Sequence, residues 1–107
     1  MTNPSKRKGT AAETSVVAWL RQSGRTWIER RALNGATDKG DISGWPGVVI
    51  EVKNAKAHDL AGWYRELEAE ITNATADTGV IIAKKKGTTN VDDWYAILPA
   101  HRWLALM

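Results

Sequence analysis

The chain has 107 residues, of which 43% are hydrophobic, and this size and composition fit one compact domain. Its net charge of +3 permits a polyanionic partner without requiring one. The absence of cysteine excludes disulfides and thiolate metal sites and suits a reducing cytoplasm, where we expect the protein to work. The sequence shows no signal peptide and no apolar segment of membrane-spanning length, so we expect no membrane partner.

The N-terminal quarter of the chain predicts a basic arm followed by a helix. Residues 1–9 are polar and basic and predict a flexible arm. A helix is expected from Gly9-Thr10 to about Ser23. Glu13 lies on the apolar stripe of this helix, which also contains Val16, Val17 and Leu20. Its carboxylate is either buried with a partner or exposed to water past a frayed first turn.

The rest of the chain predicts alternating strands and helices. Strands are expected at residues 26–31, 41–43, 48–53, 80–83 and 94–98, and helices at about 59–76 and after Pro99. Segments 41–43 and 48–53 should form a hairpin around Gly44 to Gly47. The strand, helix, strand order from 48 to 83 implies a right-handed crossover between parallel strands. We therefore predict an α/β fold with a central mixed five-stranded sheet flanked by helices.

The most informative motif is Glu51-Val52-Lys53 at the end of an apolar strand. Because side chains alternate along a strand, Glu51 and Lys53 should point to one face and Val52 to the other. Asp41 on the preceding segment can join them, and two carboxylates suit a small divalent cation such as magnesium. The lysine can stabilise charge on a phosphate or help to deprotonate the attacking water. The alternative is an ordinary turn aspartate beside a surface ion pair.

Basic residues occur in three clusters on separate segments. These are Lys6, Arg7 and Lys8; Arg30 and Arg31; and Lys84, Lys85 and Lys86. Each cluster alone is equally consistent with a solvated face. Beside a candidate metal site, the three together favour binding of phosphates.

A resemblance follows from the order of these motifs. Lys8-Gly9, Glu13 on a first helix, Gly40-Asp41-Ile42, and Glu51-Val52-Lys53 at a strand end are together similar to the PD-(D/E)XK nuclease superfamily. Within it, the chain most resembles the small Holliday-junction resolvases of archaea and their bacteriophage relatives. The likeness covers about residues 6–86. It implies a restriction-endonuclease-like core and a single nuclease domain over residues 1–107.

The resemblance also implies a chemistry and a substrate. Asp41 and Glu51 would be metal ligands for Mg²⁺, with Mn²⁺ able to substitute, Glu13 an additional acidic residue at the metal, and Lys53 the catalytic lysine. The basic clusters would bind DNA, with Arg7 and Lys8 on phosphates. The expected activity is endonucleolytic cleavage of four-way junctions by a homodimer, in a bacterial, phage-infected or archaeal cell. Six tryptophans offer aromatic surface for such a dimer.

The chain departs from the family pattern at two places, and a third position is matched by a candidate residue. Gly40 stands where the motif has proline, Glu66 stands where many relatives have glutamine, and Thr37 is the candidate for a hydroxyl residue common before the aspartate. Two other functions stay open. One is a different endonuclease of the same fold, such as a nickase, a flap nuclease or a restriction-like enzyme. The other is a DNA-binding module without catalysis.

Overall fold

The computed structural model describes residues 4–31 and 39–107, with side chains described from Lys8 onward. In this part of the chain, three α-helices and one short 3-10 turn accompany a five-stranded mixed sheet, which confirms the predicted α/β class. The helices are α1 (Pro4–Gln22), α2 (Leu60–Ala74) and α3 (Ala100–Leu106), and the 3-10 turn is Val91–Asp93. The strands are β1 (Glu29–Arg30), β2 (Ile42–Ser43), β3 (Val48–Lys53), β4 (Thr78–Ala83) and β5 (Tyr95–Ile97).

The strands lie in the sheet in the same order as in the sequence. β3 and β4 are parallel and joined through α2, whereas all the other neighbours are antiparallel. The predicted hairpin and the predicted parallel pair are therefore confirmed. Because parallel strands end at the same edge, the carboxyl ends of β3 and β4 lie side by side, and the Lys84 amide donates to the Lys53 carbonyl at 2.8 Å. We call this side of the sheet the carboxyl edge.

Two hydrophobic layers cover the two faces of the sheet. Val16 and Leu20 of α1 pack with Ile50 and Val52 of β3 on one face. On the other face α2 buries its own apolar stripe. Trp63, Leu67 and Ile71 pack there with Val49 and Ile81. The predicted alternation along β3 is confirmed, since neighbouring β3 residues join opposite layers.

The start of α1 differs from the prediction. The helix begins at Pro4, not at Gly9-Thr10, so the segment expected to be a flexible arm is helical from Pro4 onward. Proline is favoured at the first position of a helix because its missing amide hydrogen is not needed there. Glu13 therefore lies about two turns inside the helix, which rules out the frayed-end alternative.

Three smaller predictions also need correction. β1 contains only Glu29 and Arg30, although the fully buried Ile28 precedes it. β4 begins at Thr78, two residues before the predicted start, and so includes Gly79. A Cβ added at Gly79 would lie 2.9 Å from Leu67 Cδ1, so the missing side chain lets α2 approach the sheet closely. β5 contains only Tyr95–Ile97, one residue shorter at each end than predicted.

No helix in the described part of the chain is long and apolar enough to span a membrane.

Candidate active site

Asp41 is held against β3 by its own side chain and backbone. β2 starts after Asp41, so the Val52 amide of β3 has no strand partner on that side. The Asp41 carboxylate takes that place and accepts from Val52 N at 2.8 Å, while the Asp41 amide donates to the Ile50 carbonyl at 3.1 Å. Asp41 is thus fixed near the carboxyl edge, as the sequence predicted.

The residue before Asp41 explains why the expected proline is missing. Gly40 has a φ of +97°, a left-handed backbone conformation. Proline is restricted to a φ near −65°, so it cannot occupy this position without a change of the backbone. A Cβ here would also lie 2.8 Å from Val49 Cγ1. Glycine at this position therefore fits the local backbone, and the Asp41 carboxylate that follows it is kept in place.

Glu51 is an acidic side chain in the interior, only 5% exposed. Its carboxyl group lies within hydrogen-bonding reach of that of Asp41. Glu51 Oε2 is 3.5 Å from Lys53 Nζ, whereas Oε1 is buried with no hydrogen-bond partner among the described residues. A buried carboxylate oxygen without a partner is costly, so this atom is a candidate ligand for a cation.

The pKa values of both carboxyl groups are raised. Burial raises the pKa of Asp41 to about 7, and the nearby charge of Glu51 adds to the effect. Burial likewise raises the pKa of Glu51 to about 8. A divalent cation between the two groups would add to the positive charge of Lys53, since burial and the charges of nearby carboxylates disfavour the ionised forms.

Glu13 is directed inward from α1 toward the same site. Its side chain is 18% exposed, and its carboxylate accepts two hydrogen bonds from Arg30, the closer at 3.1 Å. Burial and the charge of Asp41 raise the pKa of Glu13, against the opposing effect of Arg30. The structure therefore supports the buried, partnered alternative for Glu13. It also gives Arg30, predicted to bind DNA, an acidic partner.

Lys53 lies on the same face as Glu51, and its main partner comes from α2. Its Nζ is 2.6 Å from Glu66 Oε2 and 5.8 Å from the centre of the Trp63 ring. Burial opposes the charge of Lys53, but the hydrogen bond to Glu66 and the surrounding carboxylates outweigh it, so the lysine pKa is raised. An ammonium with a raised pKa suits charge stabilisation. It does not suit removal of a proton from water.

Glu70 is an acidic residue at this site that the sequence analysis did not assign. Its side chain is 2% exposed, and its charge raises the pKa of Glu51. A signal for it was present in the sequence. Glu70 follows Trp63 by seven positions and Leu67 by three, so it lies on the apolar stripe of α2. The same reasoning that selected Glu13 selects Glu70.

Basic residues flank the carboxyl edge from two directions. Asn54, directly after β3, donates to the Lys8 carbonyl of α1 at 3.5 Å, which places exposed Lys8 next to this edge. The run Lys84 to Lys86 leaves the end of β4, and Lys84 Nζ lies 5.9 Å from the centre of the Trp94 ring.

Of the remaining predicted site residues, one is linked to the site through its backbone and three have side chains outside the described residues. The Arg31 amide donates to the Asp41 carbonyl at 2.8 Å, which ties β1 to the site. The side chains of Lys6 and Arg7 lie outside the described residues, and so does Thr37.

Asp41 and Glu51 provide the hard oxygen atoms that Mg²⁺ prefers, and Glu51 Oε1 is available for coordination. No group of three or more His, Cys, Asp or Glu side chains in the described part of the chain has the spacing of a complete metal site. This agrees with the internal partners that Glu13 and Asp41 already have. The residues therefore fit a divalent cation through one carboxylate pair, with its other ligands coming from water or substrate.

Comparison of the chain with models of known protein families, with curated proteins and with solved structures found no match.

Proposed function

We propose that this chain is a metal-dependent endodeoxyribonuclease with a restriction-endonuclease-like core. The proposal depends above all on one observation: the paired carboxyl groups of Asp41 and Glu51 lie beside Lys53 at the end of β3. Two carboxylates and an ammonium at the end of a buried strand are costly to fold, and their arrangement suits hydrolysis of a phosphodiester.

In this proposal the residues of the chain divide the chemistry between them. Asp41 and Glu51 would hold Mg²⁺, which when bound polarises the phosphate and lowers the pKa of a bound water. Lys53 keeps its proton and stabilises the negative charge that develops on the phosphate oxygens. Glu66 holds the ammonium in position from α2. Glu13 of α1 adds a third carboxyl group next to Asp41 and pairs with Arg30.

We further propose that the substrate is a four-way DNA junction and that the active form is a homodimer. Exposed lysines on both sides of the carboxyl edge, at Lys8 and at Lys85-Lys86, suit a branched polyanion with phosphates in more than one direction. Symmetric cleavage requires two sites, and the exposed Trp27 and Trp103 offer aromatic surface for a two-fold interface. A protein of this kind would work where DNA and Mg²⁺ are both available, as in the cytoplasm.

The test is a substrate screen with the purified protein, with and without Mg²⁺. Four-way, flap, nicked and linear DNA are compared, and we expect Mg²⁺-dependent cleavage with the four-way junction preferred. Cleavage of the other substrates at equal rates would instead support a general nuclease of the same fold. Binding without cleavage in the presence of Mg²⁺ would support a DNA-binding module.

The dimer is tested separately. Light scattering should give about twice the 11.8 kDa chain mass, and a cruciform plasmid should become linear. A monomer that only nicks the plasmid would support a single-site nickase.

A further inference from the structure

An exposed pair of aromatic rings lies close to Lys53. Tyr95 of β5 is 43% exposed, and its ring centre lies 5.8 Å from that of the exposed His58 in a T-shaped contact. His58 also rests on the buried Trp63, with ring centres 5.4 Å apart. We call His58 and Tyr95 the aromatic pair. Nothing in the proposed mechanism uses it.

The sheet register places the aromatic pair on the face that carries Lys53. Lys53 pairs with Ala83 of β4, and Ala83 pairs with Tyr95 of β5, so the three residues form one row across the sheet. Residues in such a row point to the same face, and two strand spacings place the backbones of Lys53 and Tyr95 about 10 Å apart across the sheet. Trp63 connects the two groups, because it contacts both His58 and Lys53.

The aromatic pair is held in place by its surroundings. His58 directly precedes Asp59, whose carboxylate caps α2 by accepting from the Gly62 amide at 3.1 Å. Tyr95 is fixed by the ladder between β4 and β5. The two rings are therefore presented by a capped helix start and by a strand, and little ordering is needed before a flat ligand binds.

The charges around the aromatic pair indicate what that ligand is. Lys53 lies on the same face. The exposed Lys85 and Lys86 follow Ala83, the cross-strand neighbour of Tyr95, by two and three positions. Flat aromatic surfaces beside a row of cations are how proteins bind unpaired nucleotides: the rings stack on the base and the cations contact the phosphates. A base inside an intact duplex cannot offer its face in this way.

We propose that His58 and Tyr95 bind an unpaired nucleobase next to the phosphate that Lys53 contacts. The ligand class is a nucleotide whose base is unstacked, as at the branch point of a junction, at a flap or at a frayed end. This inference rests on the proposed function for the presence of DNA and extends it. It gives the protein a physical means to prefer branched DNA over continuous duplex.

Binding is measured without cleavage, by fluorescence anisotropy in EDTA. The ligands are labelled oligothymidine and the same backbone with abasic sites in place of the bases. The variant is His58→Ala with Tyr95→Ala, and Tyr95→Phe is the matched control that keeps the ring. The replaced side chains are exposed, and thermal unfolding of the double variant checks that the fold is kept.

We expect the double variant to bind oligothymidine about five- to a hundredfold more weakly, which corresponds to the loss of stacking on one base. The Tyr95→Phe variant should bind oligothymidine nearly as tightly as the wild type does. The double variant and the wild type should bind the abasic ligand with similar affinity. Equal loss on both ligands, no loss, or no binding of oligothymidine by the wild type would overturn the inference. Ring-dependent binding without cleavage in Mg²⁺ would instead leave the inference standing and refute the nuclease. Mg²⁺-dependent cleavage that is equally fast in the double variant, with unchanged binding of oligothymidine, would support the nuclease and refute the inference.

Discussion

Lys53 of β3 and Glu66 of α2 form the closest ion pair at the candidate site, with 2.6 Å between Nζ and Oε2. Glu51, two residues before Lys53, lies 3.5 Å from the same ammonium and is its second partner. The lysine therefore takes its orientation mainly from a helix that contributes neither of the two proposed metal ligands. In the proposed mechanism Glu66 is a positioning residue, because it acts through Lys53.

Replacing Glu66 should separate its positioning role from its charge. We expect Glu66→Ala to lower turnover about fivefold with KM nearly unchanged, since a partly exposed ion pair contributes up to about 1 kcal/mol. Glu66→Gln keeps an oxygen acceptor and should recover most of the activity. The NMR signals of the Lys53 side chain, whose Nζ lies 5.8 Å from the centre of the Trp63 ring, should move in the Ala variant and stay in the Gln variant. Identical behaviour of the two variants would contradict the positioning role.

Removing either proposed metal ligand should abolish cleavage without loss of DNA binding. We expect Asp41→Asn and Glu51→Gln each to reduce Mg²⁺-dependent cleavage by at least about a hundredfold, because each deletes a ligand and leaves the basic surface intact. Junction affinity in EDTA should stay the same or rise slightly. Glu29→Gln, at an exposed position of β1, is the control for a change in net charge. Normal turnover by either ligand variant would remove the basis for the site.

The stability of the metal-free protein should fall as the pH rises. Burial raises the pKa of Asp41 from 3.8 to about 7 and that of Glu51 from 4.5 to about 8. A raised carboxyl pKa stabilises the folded state fully below the unfolded pKa, and this stability is lost as the pH rises through the folded pKa. We therefore expect a lower Tm at about pH 9 than at about pH 6 in EDTA. The decrease should be smaller in Asp41→Asn and Glu51→Gln, and a parallel decrease in these variants would argue against the assignment.

The buried Glu70 should control the pH at which metal binds. Its charge raises the pKa of Glu51, so Glu70→Gln should let Glu51 ionise at lower pH. Titrations with Mn²⁺ between about pH 6 and pH 8 should then show tighter binding by the variant at the acidic end, since a ligand must lose its proton to bind metal. Glu29→Gln again serves as the control. An unchanged pH midpoint would mean that Glu70 has no electrostatic influence on the metal ligand.

Loss of the link between Arg102 and Glu68 should loosen the C-terminal helix α3 without effect on the candidate site. None of its residues is buried, and Arg102 links it to α2 by donating from Nε to Glu68 at 2.8 Å. We expect Arg102→Ala to speed amide hydrogen exchange in residues 100–107 and to leave metal binding unchanged. In the wild type the pKa of Glu68 is lowered by Arg102, so this link is present above the ordinary pKa of glutamate. It is lost as the pH falls through the lowered value, and exchange in α3 should rise there.

Local sequence patterns predicted those parts of the fold that depend on local periodicity. The apolar runs of β3 and β4 and the parallel pairing between them follow from composition and from the intervening helix. Glu51 and Lys53 follow from their positions on β3, and Asp41 follows from the hairpin that precedes it. The start of α1 was missed because polar, basic residues give little periodic signal. Trp27 and Trp103 are exposed. The sequence did not distinguish these rings from the tryptophans of the core, because the exposure of a ring depends on which elements pack over it.

Local sequence patterns could not predict the interactions between carboxylates that are far apart in the sequence. Glu70 and Glu51 lie on different elements, and their proximity depends on how closely α2 approaches the sheet at Gly79. The preference of Lys53 for Glu66 over Glu51 depends on the same packing distance. Such contacts are set by tertiary packing, whereas periodicity reports only which face a residue occupies.

The left-handed backbone at Gly40 limits how this sequence can change over time. A substitution of Gly40 by proline would have to move the chain out of its φ of +97° and would pull Asp41 from the Val52 amide. A substitution at this one glycine would therefore disturb the acidic site although it replaces none of the acidic residues.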